Sequence, residues 1–333
     1  MKMRYFIYNY SNCEGGQEKY IDYLAAEFKK DKKELKIIKK KPNLKNFLLP
    51  HNYPYKLSKK EKIIEILNGN AALYFRAALI RNKNVKKIYI QHSYYLDHQS
   101  GGFKVFIRLI IFSLLLKAIS KIIRVSDSVL PEKFSKRKIF TIYNGVPEDN
   151  LKFQNIIPTE FNQVELIMIG AINNNKNQKL AINLLRENSK LKLTLLGDGN
   201  LKNYLLKKNK DLVNSGRLVF KGYIKDIRKY YLKSHVLLSL SFFEGMPFSI
   251  LEAMSYGLPV IATNVGGIKE LINNMQNGII IEPNDLNSLK KAILNLTSDL
   301  NFYESISTNS RKTIRERFTS KIMYNNLLKI INE

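Results

Sequence analysis

The sequence contains no tryptophan, a single cysteine, and only 9 prolines and 16 glycines in 333 residues. Cys13 has no second cysteine to pair with, so a disulfide-stapled secreted fold is excluded and a cytoplasmic compartment is expected. An apolar run at residues 109–116 falls well short of the ~20 residues that a membrane-spanning helix needs. The amino terminus has no small-residue cleavage site behind an apolar stretch, so it is not typical of a secretory leader.

Acidic residues are scarce as well. The 28 Asp and Glu face 55 Lys and Arg, a net charge of +27. Residues 1–150 hold 30 basic and 13 acidic residues (+17), and residues 151–333 hold 25 and 15 (+10). Such an excess favours an anionic partner. No zinc-finger spacing, RNA-binding aromatic signature or basic heptad region is present, so the charge predicts no specific nucleic-acid partner, only nonspecific attraction to phosphates.

One segment combines basic and apolar residues. It begins at Phe103, ends at Arg124, and sets five Lys or Arg around the apolar run at 109–116. Two interpretations fit it equally: a helix lying in an anionic membrane surface, and a buried domain helix flanked by solvated lysines. The first interpretation makes an anionic membrane surface a partner of this segment.

The organisation of the chain is that of βαβ units. Short apolar runs that end in Gly, Asn or Ser alternate with helical patterns in two successive series, which is typical of parallel sheets. We therefore predict an α/β fold of two doubly wound Rossmann-like domains facing each other across a cleft. The turn-rich residues 143–150 place the domains at 1–150 and 151–317, and a closing helix is predicted at 318–333.

Strands are predicted from the apolar runs. They are residues 5–8, 36–40, 72–74, 87–91, 124–125 and 139–142 in the first half, and 165–170, 191–196, 218–220, 236–240, 259–262 and 278–281 in the second. A helix is expected from about Gln17 to Lys30, because apolar side chains recur there every four residues.

Residues 241–272 carry the most chemical information. A predicted strand ends there in a loop with Glu244, Gly245 and Pro247, and a helix is expected to begin near Phe248. The first N–H groups of a helix lack internal partners and its dipole favours negative charge, so this start suits a phosphate or a sugar hydroxyl. Glu252 lies one helical turn further in, where its carboxylate can accept hydrogen bonds from a ribose diol. A cap carboxylate or a turn glycine is common by itself, but this order and spacing is not.

Seven residues separate Glu244 from Glu252, within the frames Glu-Gly-Met-Pro and Leu-Glu-Ala-Met-Ser-Tyr-Gly-Leu-Pro. In this respect the sequence resembles the retaining glycosyltransferases of family four, which have the two-domain GT-B fold. Further stretches fall in the family's order, at residues 15–18, 144–146, 169–178, 196–199 and 220–223. The resemblance implies transfer of a sugar from a nucleoside diphosphate donor, with a UDP-sugar favoured, to a hydroxyl of a glycan or lipid-linked acceptor in cell-surface polysaccharide synthesis. Because members of this kind work on lipid-linked acceptors, it also implies a cytoplasmic protein that lies peripherally at the inner membrane face, and the basic and apolar segment 103–124 fits that placement.

The resemblance also implies roles for particular residues. Glu252 would hold the ribose, Glu244 the transferred sugar and Lys176 the diphosphate, and His92 would lie near the transferred sugar. The implied catalytic residues are Glu244, His92 and Lys176, and the implied donor-binding residues are Gly15, Gly16, Gly170, Lys176, Tyr223, Gly245, Met246, Pro247, Phe248 and Glu252.

The sequence departs from the family in one place. The family usually has an arginine five residues before the lysine, where Ala171 stands here, so a bidentate clamp on the diphosphate is missing. No Asp-x-Asp motif occurs, and the resemblance implies neither a metal nor a cofactor. Two alternatives stay open: a nucleotide-sugar epimerase of the same fold, and a catalytically weak, membrane-associated basic scaffold, which the missing arginine favours.

Overall fold

The computed structural model of the chain describes residues 2–9, 15–39, 61–69, 84–92, 119–130 and 138–333. The predicted strand at 72–74 and most of the segment 103–124 lie outside the described residues. The chain forms two compact units, Met1–Asn144 with Ser320–Glu333, and Gly145–Thr319.

The first division therefore lies six residues before the predicted boundary at 150. The reason is a pair of contacts that tie Val146 to the second unit. The N–H of Val146 donates to the carbonyl of Phe318 at 2.9 Å, and Val146 forms a parallel bridge with Thr319. The last helix belongs to the first unit, so the chain returns there after completing the second.

The described strands of the first unit form one parallel sheet in the order β2-β1-β3-β4-β5-β6. They are β1 (Lys2–Asn9), β2 (Leu35–Lys39), β3 (Glu61–Asn68), β4 (Val85–Gln91), β5 (Lys121–Arg124) and β6 (Ile139–Thr141). The order reverses direction between β1 and β3, which is the topological switch point where open α/β sheets bind ligands.

Strand β3 was not among the predicted strands. Its sequence Glu-Lys-Ile-Ile-Glu-Ile-Leu-Asn places charges at Glu61, Lys62 and Glu65, and this interrupts the apolar run that identifies a buried strand. The strand is nevertheless central, pairing with β1 on one side and β4 on the other, and Glu65 is fully buried.

Two helices of the first unit pack against each other: α1 (Gly16–Lys30) and the last helix of the chain, α10 (Ser320–Asn332). Phe28 and Tyr324 meet edge to face with ring centroids 5.0 Å apart, and the Ser320 hydroxyl donates to the Glu27 carboxylate at 2.7 Å. The buried stripe Tyr20, Leu24 and Phe28 of α1 follows the predicted four-residue spacing.

The second unit contains another parallel sheet, in the order β12-β11-β10-β7-β8-β9. Its strands are β7 (Val164–Ile169), β8 (Leu191–Leu196), β9 (Leu218–Gly222), β10 (Val236–Ser239), β11 (Val260–Thr263) and β12 (Ile279–Ile281). Counted within the unit this is the Rossmann order 3-2-1-4-5-6, with its switch point between β7 and β10. The apolar side chains of β7, β8 and β10 form the centre of the core.

The helices of the second unit lie between its strands along the chain or follow the last strand. They are α2 (Gln178–Glu187), α3 (Lys202–Lys208), α4 (Lys210–Asn214), α5 (Arg228–Lys233), α6 (Phe248–Ser255), α7 (Ile268–Leu271), α8 (Leu286–Ser298) and α9 (Leu300–Arg317). Within the described part of the chain, none of the helices combines the length and apolar character needed to span a bilayer.

Candidate donor site

The candidate site of the second unit lies at the switch point of its sheet. All strands there are parallel, so the loops that follow them meet at one edge. Lys176 lies in the loop after β7 and Glu244 in the loop after β10, and these two strands are neighbours. The sequence predicts each residue after a strand, and the strand order brings the two loops together.

The ammonium group of Lys176 forms an ion pair with carboxylate oxygen Oε1 of Glu244. The hydroxyl of Ser241 donates to the same oxygen at 2.7 Å. The side chains are 22% exposed for Lys176 and 13% exposed for Glu244, so the pair is largely shielded but reachable from solvent. The arrangement concentrates one positive charge, one negative charge and a hydroxyl at the point where a Rossmann-like sheet holds its ligand.

One main-chain and one side-chain hydrogen bond join the two loops. The N–H of Phe242 donates to the carbonyl of Asn175 at 2.9 Å, and the side-chain Nδ2 of Asn175 donates to the Phe243 carbonyl at 3.1 Å. The side chain of Asn173 accepts from the Lys176 N–H at 3.1 Å. Asn173 and Asn175 therefore shape the loop that carries Lys176.

Gly170, predicted to bind the donor, makes room for Lys176. Its φ is +135°, and a Cβ at this position would lie 3.0 Å from Cε and 3.4 Å from Nζ of Lys176. A larger residue would thus displace the lysine side chain. The structure gives Gly170 this packing role, and direct contact with a donor remains a prediction.

Gly266 supports the backbone of Glu244, a contact that the spacing of the motif did not reveal. Its φ is +51°, and a Cβ there would lie 1.8 Å from the Glu244 carbonyl oxygen. The next residue, Gly267, donates its N–H to the same carbonyl at 3.3 Å. The Gly-Gly pair after β11 therefore holds the loop that carries Glu244.

Helix α6 begins at Phe248, as predicted, and Pro247 precedes its first turn. Pro247 offers no side-chain group to cap the first N–H groups, so the helix start keeps its capacity to bind an anion or a hydroxyl. Gly245, Met246 and Phe248 are buried. Their N–H and carbonyl polar groups are those of the main chain.

Glu252 is only 4% exposed, and its Oε2 accepts a hydrogen bond from the Tyr231 hydroxyl at 2.8 Å. Tyr231 lies on α5, 21 residues away, and no sequence pattern pointed to this partner. The nearby phenol of Tyr256 is affected too: burial first, and then the charge of Glu252, raises the pKa of Tyr256 to about 12. Glu252 is thus a buried carboxylate with one oxygen engaged by a tyrosine.

Tyr223 follows β9 at the same edge of the sheet and is 58% exposed. Its position at the end of a strand agrees with the predicted placement. Its role in binding the donor remains a prediction.

A second polar cluster lies at the switch point of the first unit. Asn68 ends β3, His92 follows β4, and Gly15 and Gly16 stand where α1 begins after β1. Nε2 of His92 lies 2.7 Å from Oδ1 of Asn68. Burial lowers the pKa of His92 to about 3, so its imidazole is neutral. The predicted residues of the amino-terminal half thus share one edge of one sheet.

Within the described residues, no group of three or more His, Cys, Asp and Glu side chains is arranged to hold a metal ion.

Comparison with known proteins gives the family. The family model described as glycosyl transferases group 1 matches residues 148–313. An uncharacterized glycosyltransferase of Methanocaldococcus jannaschii is 26% identical over 219 residues, covering 60% of this chain and 56% of that protein. The Escherichia coli UDP-Gal:alpha-D-GlcNAc-diphosphoundecaprenol alpha-1,3-galactosyltransferase is 39% identical over 106 residues, covering 32% of this chain and 27% of that protein. The chain therefore aligns with about half of the first relative and about a quarter of the second.

The fold is shared over the whole chain with a solved structure. Anabaena Alr3699/HepE in complex with UDP-glucose superposes with a TM-score of 0.79, covering 99% of each chain at 16% identity. The likeness confirms the GT-B fold, with two parallel six-stranded sheets. The motif around Glu244 and Glu252 lies inside the matched range, on the loop and helix that the family resemblance predicted. The chain belongs to the family of glycosyl transferases group 1.

Proposed function

We propose that this protein is a retaining glycosyltransferase that moves a sugar from a nucleoside diphosphate donor, a UDP-sugar by preference, to a hydroxyl of a glycan or lipid-linked acceptor. The observation that carries the proposal is the contact between Lys176 and Glu244 at the switch point of a Rossmann-like sheet. Membership of the glycosyltransferase family supports it. The Anabaena protein, whose structure is that of a complex with UDP-glucose, supports the choice of base.

Lys176 is the residue for the diphosphate. Breaking the bond between the sugar and the diphosphate leaves a nucleoside diphosphate whose negative charge grows in the transition state. A fixed ammonium group and the start of α6 stabilise that charge more in the transition state than in the ground state. In the structure the Glu244 carboxylate is the counter-ion of Lys176. On binding, the diphosphate takes over this role and frees Glu244 for the hydroxyls of the transferred sugar.

Glu252 is the residue for the ribose. Oε2 is engaged by Tyr231, which holds the carboxylate in place, and the ribose diol donates to the carboxylate. Because Glu252 lies one helical turn inside α6, a donor whose diphosphate meets the helix start brings its ribose toward this side chain.

The proposed chemistry retains configuration at the anomeric carbon. The bond from that carbon to the diphosphate oxygen breaks, and its electron pair goes to the leaving phosphate. The same phosphate accepts the proton of the acceptor hydroxyl, whose oxygen then bonds to the anomeric carbon on the face that the phosphate leaves. This step needs no protein base, so His92, which is neutral, acts on the sugar by hydrogen bonding.

A lipid-linked acceptor is supported by the Escherichia coli relative, whose name specifies a diphosphoundecaprenol substrate. Such an acceptor would place the protein at the inner face of a membrane, and we assign the basic and apolar segment 103–124 to that surface. Flotation with liposomes tests this: binding should require anionic lipid and weaken with salt. Equal binding to neutral vesicles, or none to either kind, would contradict it.

The proposed function is tested by ligand-induced thermal stabilisation followed by a transfer assay. UDP, GDP, ADP and their sugars are compared at equal concentration, because a ligand that binds only the folded state raises the unfolding midpoint. UDP and one UDP-sugar should stabilise the wild-type protein. Lys176→Ala should lose most of that shift, whereas the matched control Lys179→Ala, an exposed lysine on α2, should keep it. Stabilisation by no nucleotide would overturn the proposal.

A further inference from the structure

The side chains around His92 carry one more inference, which rests on the proposed function. We infer that Asn68, which Gln17 holds in place, is a positioning residue for His92. It keeps His92 as the Nε2–H tautomer, so that Nδ1 is the hydrogen-bond acceptor offered to a hydroxyl of the transferred sugar. We call the pair Asn68 and Gln17 the clamp.

The orientation of the Asn68 amide follows from its two contacts. Its Nδ2 donates to the main-chain carbonyl of Gln17 at 3.3 Å, which leaves Oδ1 facing His92. Asn68 is fully buried, so solvent does not compete for these groups. The amide is therefore fixed with its oxygen, an acceptor, toward the imidazole.

Gln17 holds both Asn68 and the neighbouring Gly69 by hydrogen bonds. Its side-chain Nε2 donates to the carbonyl of Gly69 at 3.1 Å, so residue 17 is bonded to both Asn68 and Gly69. Gly69 has a φ of +59°, and a Cβ there would lie 2.7 Å from Cδ2 of His92 and 2.7 Å from Nε2 of Gln17. Only glycine lets the imidazole and the glutamine approach the chain this closely.

The tautomer of His92 follows from the amide. An amide oxygen can only accept, so the 2.7 Å contact requires a proton on Nε2 of His92. A neutral imidazole then carries its lone pair on Nδ1. The Tyr20 ring packs against the imidazole at a centroid distance of 4.9 Å and an interplanar angle of 78°, and this contact fixes the ring plane.

This arrangement has a chemical use at the switch point of the first unit. Sugar hydroxyls both donate and accept hydrogen bonds, and a lone pair on Nδ1 accepts a hydrogen bond from a hydroxyl. The other tautomer, or the imidazolium ion, would present a donor there. The clamp therefore determines that His92 presents a hydrogen-bond acceptor to the sugar. Asn68 acts through His92 and does not touch the substrate.

The test is nitrogen NMR of the histidine side chains in the protein without donor, with His92 assigned by its loss in His92→Gln. Wild-type His92 should show a protonated Nε2 and an unprotonated Nδ1 from pH 5 to pH 8. In Asn68→Asp a carboxylate faces the ring, so both nitrogens should carry protons at neutral pH. The matched control Asn214→Asp adds a carboxylate at an exposed position of α4 and should leave His92 unchanged.

The kinetic arm separates this inference from the proposed function. Asn68→Asp and Asn68→Leu should lower kcat about tenfold while the KM for the donor changes less than about threefold. A wild-type Nδ1–H tautomer, or Asn68 variants that leave both the His92 spectrum and kcat unchanged, would overturn the inference. If wild-type protein transfers no sugar while the spectra change as expected, the clamp stands and the proposed function fails.

Discussion

Replacing Glu244 with glutamine should tighten the binding of UDP and slow transfer. In the structure the Glu244 carboxylate pairs with Lys176, the group that we assign to the diphosphate, so a bound nucleotide must displace it. At an effective dielectric constant of about 20, two charges at contact interact by a few kcal/mol. Both side chains keep some exposure, so screening reduces the pair to about 1 kcal/mol. Removing the competing charge should therefore strengthen UDP binding about fivefold.

The effect on turnover should have the opposite sign. In Glu244→Gln the amide would retain the shape of the side chain but lose a charged contact with the transferred sugar, which lowers kcat by about 10- to 100-fold. Isothermal titration with UDP measures the affinity, and a coupled assay of UDP release measures kcat. Glu304→Gln, which removes one carboxylate from the exposed face of α9, controls for net charge. UDP affinity that is unchanged or weaker in Glu244→Gln would refute the displacement of Glu244 by the diphosphate.

Three further predictions concern the donor and the acid stability of the fold. Ala171→Arg should increase UDP affinity about tenfold, measured by titration calorimetry. Position 171 is exposed, and an arginine there can form a bidentate contact with the diphosphate. No gain in affinity would mean that the diphosphate binds elsewhere. Glu252→Gln should weaken nucleotide binding by about 1–3 kcal/mol, and an unchanged affinity would remove the ribose assignment. Burial lowers the pKa of both His92 and His235 below the ordinary value, to about 3 for His92. Below about pH 6.5 the unfolded chain therefore takes up protons that the folded protein does not. The free energy of unfolding, measured with urea, should fall from pH 6.5 toward pH 4 by at most about 1.4 kcal/mol per pH unit for each histidine. Constant stability over that range would contradict the buried neutral state of the two histidines.

The alternatives raised by the sequence are distinguished by the same measurements. A scaffold would bind a nucleotide without turnover, and the Ala171→Arg variant would then restore affinity but no transfer. An epimerase would change its nucleotide sugar without an added acceptor. The membership of residues 148–313 in the glycosyltransferase family favours transfer over both.

The candidate site of the second unit is largely local in sequence, and that is why it could be predicted. The strand β10, the loop with Glu244 and the helix with Glu252 follow one another along the chain. A buried apolar run, a Gly and Pro turn and a helical pattern identify such a unit without any distant contact. The carboxyl-terminal strands were predicted to within a few residues for the same reason, since they are continuous apolar runs.

The partners of these residues depended on the tertiary structure. Lys176 meets Glu244 only because β7 and β10 are neighbours in the sheet, although 68 residues separate the two side chains. Tyr231 contacts Glu252 across 21 residues of sequence, and Asn68 contacts His92 across 24 residues. Strand β3, which positions Asn68, went unrecognised because its charged residues conceal a buried strand. Hydrophobic periodicity therefore determined which segments become strands and helices, whereas the order of the strands, a property of long-range packing, decided which side chains share a site.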